Sequence, residues 1–460
     1  RYATPRHKRE SHGRRNEIIT MKKTMLAAAM IATALTGCSV CKGKGGPKTP
    51  TVGTRVSILG SANEIAVDPE IAAQQVVLPP ETANSGWTQS GGSADKAMGH
   101  LALPAALSTA WTAQIAGNTK SAKLAASPVV DNGRLYVIDV NATVHAFDAK
   151  TGAKIWSTSI ASGGSDGRKS LFGGGVSVEG DKVYATNGVG DVAALSTSNG
   201  GVAWQKRPAG PLRGAPTIFA GQIFVMTQDN QLIALRATDG DTEWQEIASV
   251  EAGSVFGVAA PAAGQGTVVA GFSSGELNAY RYENGRNLWS DALSRTSIST
   301  SVSTLVDVDA DPVIDRGRVF AVGQGGRMAA YELLTGQRAW ELNIAGISTP
   351  WVAGEWVFVV TDDARVLCVS RATGKIRWIS QLAHYRDEKD KKDPIRWTGP
   401  VLAGNRLFLV SSQGAMAQLN PGDGSVTSQT DMKVGSTLSP IVADGMLYVL
   451  DDSGRISAWR

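Results

Sequence analysis

A glycine followed four residues later by a tryptophan recurs six times along this chain, and that repeat constrains the fold more than any other feature. The pairs are Gly152/Trp156, Gly200/Trp204, Gly240/Trp244, Gly285/Trp289, Gly336/Trp340 and Gly374/Trp378, with tryptophans 48, 40, 45, 51 and 38 residues apart. A seventh unit keeps Gly424 but has Ser428 at the tryptophan position, and an eighth starts at Ser439-Pro440-Ile441-Val442 and stops at Trp459-Arg460. One unit reads Ser127-Pro128-Val129-Val130, Gly133, Leu135-Tyr136-Val137, Val144-His145-Ala146-Phe147-Asp148, Thr151-Gly152, Trp156. Each unit holds four short runs rich in β-branched and aromatic residues, separated by Gly, Asn and Asp turns. Residues 135–138, 223–226, 356–360 and 407–410 are examples of the second run. Four strands every 40–50 residues is the signature of a β-propeller blade. A lone blade exposes both sheet faces, so the units must stack into one ring.

The number of blades follows by division. Residues 106–460 at about 44 per unit give eight. The last unit ends after its third strand, because residues 456–459 match residues 144–147. The stretch Ser108-Thr109-Ala110-Trp111-Thr112-Ala113-Gln114-Ile115 has the tryptophan-strand pattern with no strands before it. It supplies the missing outer strand and hides an otherwise open edge. The expectation is an all-β fold: an eight-bladed propeller of four-stranded antiparallel blades, closed by an N-terminal strand. The 42% hydrophobic and 19% charged composition suits such a core, and the 52 glycines suit its many turns. Trp111, Trp156, Trp204, Trp244, Trp289, Trp340 and Trp378 are expected to dock blade on blade, the indole apolar and its N–H bonded to backbone.

The N-terminus reads as an export address. Lys22 and Lys23 precede an apolar run, residues 25–35, that is too short to span a bilayer, followed by Leu35-Thr36-Gly37-Cys38. Cysteine at that place is the lipobox arrangement of bacterial lipoproteins, in which the thiol and the new amino terminus are acylated. Each buried methylene adds roughly 0.8 kcal/mol of membrane affinity. The expected organisation is a non-native or mis-annotated leader at 1–20, a lipoprotein signal at 21–37, a lipidated tether and irregular arm at 38–105, and the propeller at 106–460. The formal charge of +4 arises in the leader. Beyond residue 20 there are 39 Lys/Arg and 39 Asp/Glu, so no basic surface for nucleic acid is implied.

Sites of chemistry are sparse. Cys38 and Cys41 have redox-motif spacing but sit in a Gly/Lys/Pro tether, and Cys368 lies in the apolar run Val366-Leu367-Cys368-Val369. Asp307-x-Asp309-x-Asp311 opens like a calcium loop but has Pro312 and Arg318 where that loop needs Gly and Glu. The run Gly163-Gly164-Ser165-Asp166-Gly167-Arg168-Lys169-Ser170 breaks the phosphate-loop spacing, and the mixed charges at 386–393 suit a solvated connection. His100, His145 and His384 have no metal-ligand spacing, and no Gly-x-Ser-x-Gly elbow occurs. No catalytic residue, metal or cofactor is expected.

The run Ala146-x-Asp148-x-x-Thr151-Gly152-x-x-x-Trp156 resembles the tryptophan-docking motif of quinoprotein-type (PQQ-like) propellers. Neither the Gly-His…Trp-Asp pair of WD40 repeats nor the Gly-Gly of kelch repeats recurs. Among quinoprotein-type families, the alcohol dehydrogenases carry an adjacent cysteine pair over the quinone, which this chain lacks, as it lacks Cys-x-x-Cys-His. The lipobox, the arm, eight units and a chain ending at the last blade resemble the BamB family of outer-membrane assembly lipoproteins. That resemblance implies a non-enzymatic scaffold of the β-barrel assembly complex, held on the periplasmic face of the outer membrane by acylated Cys38. Its partners would be a POTRA domain of a BamA-type barrel insertase and other members of the complex. The Asp-Val-Asp stretch of that family falls on Asp307 and Asp309, implied to meet the POTRA domain. The family's second contact, a Leu-x-Leu-Arg stretch ahead of Ala-Pro, falls on Gly253-Ser254-Val255-Phe256 before Ala260-Pro261, so the Arg is absent and only Val255 is a plausible apolar substitute, with Val255 and Phe256 the implied contact residues. Two other functions compete: a PQQ-dependent-dehydrogenase-like oxidoreductase, and a periplasmic glycan binder using Trp351, Trp356 or Trp397 if these line a cleft.

Overall fold

The structure is a computed structural model, and it describes residues 65–162, 172–249, 257–293 and 307–460. Cys38, Cys41, Val255, Phe256 and the 163–170 run lie outside these. Eight four-stranded antiparallel sheets form the blades of the propeller. Blades 1 to 7 take four strands each in chain order, with inner strands Val129–Asp131, Gly174–Glu179, Thr217–Phe219, Ala262–Gly264, Val313–Asp315, Trp351–Ala353 and Trp397–Ala403. Blade 8 is built from both ends of the chain. Ile441–Ala443, Met446–Leu450 and Arg455–Trp459 are its first three strands, and Thr109–Gln114 is its outer strand. Thr112 pairs with Ser457 and Gln114 with Arg455, and the Ser108 and Arg460 backbones exchange two hydrogen bonds of 2.8 and 3.0 Å. Strand pairing within blade 8 thus closes the seam where the two ends of the ring meet.

The tryptophan repeat is a two-part dock. On each outer strand the register slips at the indole: in blade 1, Ala146 pairs with Trp156 but Phe147 with Lys154, so Ile155 is an extra residue. The same bulge occurs at Trp204, Trp244, Trp289, Trp340 and Trp378. A bulge adds twist and re-aims a side chain, here toward the following blade. Each indole N–H donates to a backbone carbonyl there: Trp111 to Ala149 (3.0 Å), Trp156 to Thr197 (3.0 Å), Trp204 to Ala237 (3.1 Å), Trp244 to Tyr282 (2.8 Å), Trp289 to Leu333 (2.7 Å), Trp340 to Arg371 (2.9 Å) and Trp378 to Pro421 (2.9 Å). The ring of each indole lies on the next blade's repeat glycine. A Cβ on Gly336 would stand 2.5 Å from Trp289, and Gly336 has φ +70°. Both facts demand glycine.

The seam from blade 7 to blade 8 has no such dock. Ser428 is exposed, and blade 8 has no turn between its third and fourth strands because these come from opposite chain ends. An indole at 428 would have no glycine turn to cover. Trp459 instead occupies the third-strand column of blade 8, partly buried, and its Nε1 has no hydrogen-bond partner among the described residues.

Three tryptophans outside the repeat, Trp351, Trp356 and Trp397, are all buried, and the Trp351 and Trp397 N–H groups donate to Gly99 and Ala383 carbonyls at 2.7 and 2.9 Å. Residues 386–393 fall in an exposed hairpin, Tyr385–Asp387 with Lys392–Pro394. Cys368 is fully buried, and burial pushes its thiol well above the usual range, as befits a small apolar residue.

Candidate partner-docking site

The segment from Asp307 to Asp311 leads into the inner strand of blade 5. Val308 and Ala310 are buried in the apolar packing on the two sides of blade 5, and Asp307 and Asp311 are buried as well. The sequence alone suggests acids on display. The structure instead turns them onto an internal cation. Arg213, fully buried, donates from Nη2 to Asp307 Oδ1 (2.9 Å), to Asp309 Oδ1 (3.0 Å) and to the Val308 carbonyl (3.3 Å). Arg213 belongs to Leu212-Arg213-Gly214-Ala215-Pro216, which opens blade 3, two blades before the acids. Its backbone is fixed at N by Met226 O (2.8 Å) and at O by Gly174 N (2.5 Å).

Arg213 is the site residue that reading the sequence missed. The signal was present: a Leu-Arg just before an Ala-Pro that opens a blade. It stands one repeat earlier than the 253–256 stretch, where the sequence reading sought it. Room for it depends on Gly257, where a Cβ would fall 1.9 Å from Arg213 Nη2 and 2.2 Å from Asp309 Oδ1.

The cluster is electrostatically unbalanced. Two carboxylates share one guanidinium nitrogen, while Arg213 Nε and Nη1 and Asp307 Oδ2 are buried with no partner among the described residues. Burial, and then the neighbouring Asp307 charge, push Asp309 up to about 6 against the pull of Arg213. Burial pushes Asp307 up as well. Gln324 Nε2 donates to Asp309 Oδ2 at 3.0 Å. Asp311 is better served, accepting from the Ala260 N–H (2.8 Å) and the Ser90 hydroxyl (2.6 Å).

Asp309 and Asp311 also line a cavity of about 120 Å³ at the axis, near where the inner strands begin. Its floor is the N-terminal arm: Trp87, stacked on Trp351 at 6.1 Å, with Ser90 and Lys96. Lys96 is 1% exposed, donates to Thr217 Oγ1 at 3.3 Å, and is pushed down to about 8 by burial against the pull of Asp311 and Asp95. Among the described residues no group of three or more His, Cys, Asp or Glu side chains is arranged to hold a metal ion.

A family model described as outer membrane protein assembly factor BamB matches residues 97–166 and 141–380. The chain belongs to the BamB family. BamB of Escherichia coli (strain K12) is 30% identical over 352 residues, 76% of this chain and 87% of that protein. BamB of Yersinia pestis is 27% identical over 336 residues, 72% and 83% of the two chains. Among solved structures, BamB from Moraxella catarrhalis superposes with a TM-score of 0.63 at 18% identity, over 77% of this chain and 98% of that one. The quinohemoprotein alcohol dehydrogenase of Comamonas testosteroni reaches 0.65 at 14% identity, over 85% and 83%. At such identities the two structures share only the fold. BamB and dehydrogenase score alike, so fold similarity does not choose between them, whereas sequence similarity over most of the chain does.

Proposed function

We propose that this chain is a non-enzymatic scaffold of the outer-membrane β-barrel assembly complex. Its docking face surrounds the Asp307–Arg213–Asp309 cluster and takes a POTRA domain of a BamA-type insertase. The observation that carries this reading is that the Asp-Val-Asp segment is locked to Arg213. A carboxylate pair tied down by a buried guanidinium is a poor general base or ligand set, but it is a rigid support for a loop surface. Asp309, its side chain 9% exposed at the axial cavity, is the acid within reach of a partner's basic group. Val255 and Phe256, just before Gly257 in sequence, contribute apolar contact. The oxidoreductase alternative is disfavoured by size: small-molecule sites run to roughly 300–1,000 Å³, and the axial cavity offers about 120 Å³.

Acylated Cys38 places the protein on the periplasmic face of the outer membrane. Cys38→Ala is expected to move it from the membrane fraction to the soluble periplasmic fraction; continued membrane retention would remove the anchor from this reading. For the docking face, Asp309→Lys is expected to reduce co-purification with the insertase at least tenfold while the ring still melts cooperatively. Undiminished co-purification would overturn the site assignment.

A further inference from the structure

Residues 84–101 of the arm trace one full circuit of the axis, and they touch the inner strands of all eight blades in ring order. At blade 8, Asp444 N–H donates to Asn84 O (2.8 Å) and Asn84 Nδ2 to Val442 O (2.7 Å). At blade 1, Trp87 and Val130 exchange two backbone hydrogen bonds (2.7 and 2.8 Å), and at blade 2 Val178 N–H donates to Thr88 O (2.9 Å). At blade 3 the Gln89 amide imitates a strand partner: Ile218 N–H donates to Oε1 (2.8 Å) and Nε2 to Ile218 O (3.0 Å). Ala263 N–H then donates to Ala94 O in blade 4 and Ile314 N–H to Asp95 O in blade 5, both at 2.8 Å. Trp351 Nε1 donates to Gly99 O in blade 6 (2.7 Å). In blade 7 Leu101 N–H donates to Leu402 O (3.2 Å), and Leu101 O accepts from Gly404 N–H (2.9 Å).

Inner strands of a closed ring carry free backbone donors and acceptors on the axial side, and buried ones need partners. Here one segment, turning at residues 89–95, supplies partners to the inner-strand backbone of seven blades and to the Trp351 indole of blade 6. Its side chains are engaged along with its backbone: Trp87, Gln89, Lys96, His100 and Leu101 are all buried. We infer that the eight inner strands together form a binding site for a single peptide segment, and that residues 84–101 are its resident ligand, held in cis. The recognition elements are one hydrogen-bonding register per blade, an indole slot beside Trp351 and a polar pocket at Thr217 for a lysine. Occupied, the site ties all eight blades together and closes one mouth of the axis, leaving the mouth with Asp309 for partners.

The test uses the full chain with a specific protease site inserted between Ala105 and Ala106, both exposed. After cleavage the N-terminal fragment is expected to co-elute with the ring on size exclusion. It is also expected to exchange with a labelled synthetic peptide of residues 65–104. In the same nicked background Trp87→Ala and Gln89→Ala are expected to speed fragment loss at least tenfold. Release of the unmutated fragment, whether the ring stays folded or unfolds, overturns the inference. So does retention that both substitutions leave unchanged, because the arm would then be held elsewhere, for example by Lys375 and Arg377, which engage Asp68, Glu70 and Gln74.

Discussion

At the rim of the ring, seven seams are closed by an indole lying on a glycine, with one N–H bond to the next blade. At the axis, the ring is held by polar and charged groups: Arg213 with Asp307 and Asp309, Lys96, and the hydrogen bonds of the arm. The rim contacts are apolar area plus one neutral hydrogen bond each, so their strength does not follow pH. The axial contacts include two carboxylates that burial pushes up, Asp309 to about 6. A ring can use one repeated device at the rim because each seam presents the same geometry. The axis admits no repeat, since all eight blades converge on one small volume and each must contribute something different.

The largest way to break this contrast is at blade 8. Deleting residues 455–460 removes the strand that joins both chain ends, and no cooperative thermal transition is expected. Next, Trp289→Ala should destabilise by about 3–5 kcal/mol, as for other large-to-small core changes, with the same loss at pH 5 and pH 7.5 in urea titrations. Arg213→Met should lower stability by about 3–5 kcal/mol at pH 7.5, since it leaves two buried carboxylates without their cation. Unlike the tryptophan variant, its deficit should shrink as the acids become protonated on acidification. Equal losses at both pH values would erase the distinction between axis and rim. Trp289→Phe keeps most of the area but leaves the Leu333 carbonyl without its donor, for about 1 kcal/mol.

A smaller effect concerns pH alone. Asp309 has its folded-state value raised to about 6, against about 3.9 in an unfolded chain. The folded ring therefore binds more protons between those values. Its contribution to stability is full below about pH 4 and is lost as pH rises through 6. Asp309→Asn is expected to flatten this part of the melting-temperature profile. Smallest of all, Ser428→Ala at the undocked seam should change stability by less than about 0.5 kcal/mol, in contrast to any of the seven tryptophans.

Reading the residues in order reached far at the rim and stopped short at the axis. The period of Gly152/Trp156 through Gly374/Trp378 requires one strand set per unit, and division alone yields eight blades. The leftover Trp111 stretch could only close the last blade. These inferences succeed because they depend on local pattern: turn chemistry, alternation and a repeated spacing within some 50 residues. Arg213 meeting Asp307 and Asp309 across 94 and 96 residues is not such a pattern, nor is Gln89 pairing with Ile218 129 residues away. Whether Trp351 and Trp397 line a cleft was open in the sequence, and the folded chain buries both, their N–H groups bonded to Gly99 and Ala383. The sequence by itself determined the blade, the count and the closure, because a hydrophobic repeat admits few ways to bury itself. Only the tertiary structure decided which charges meet at the axis, because closing the ring brings together loops that no local rule relates.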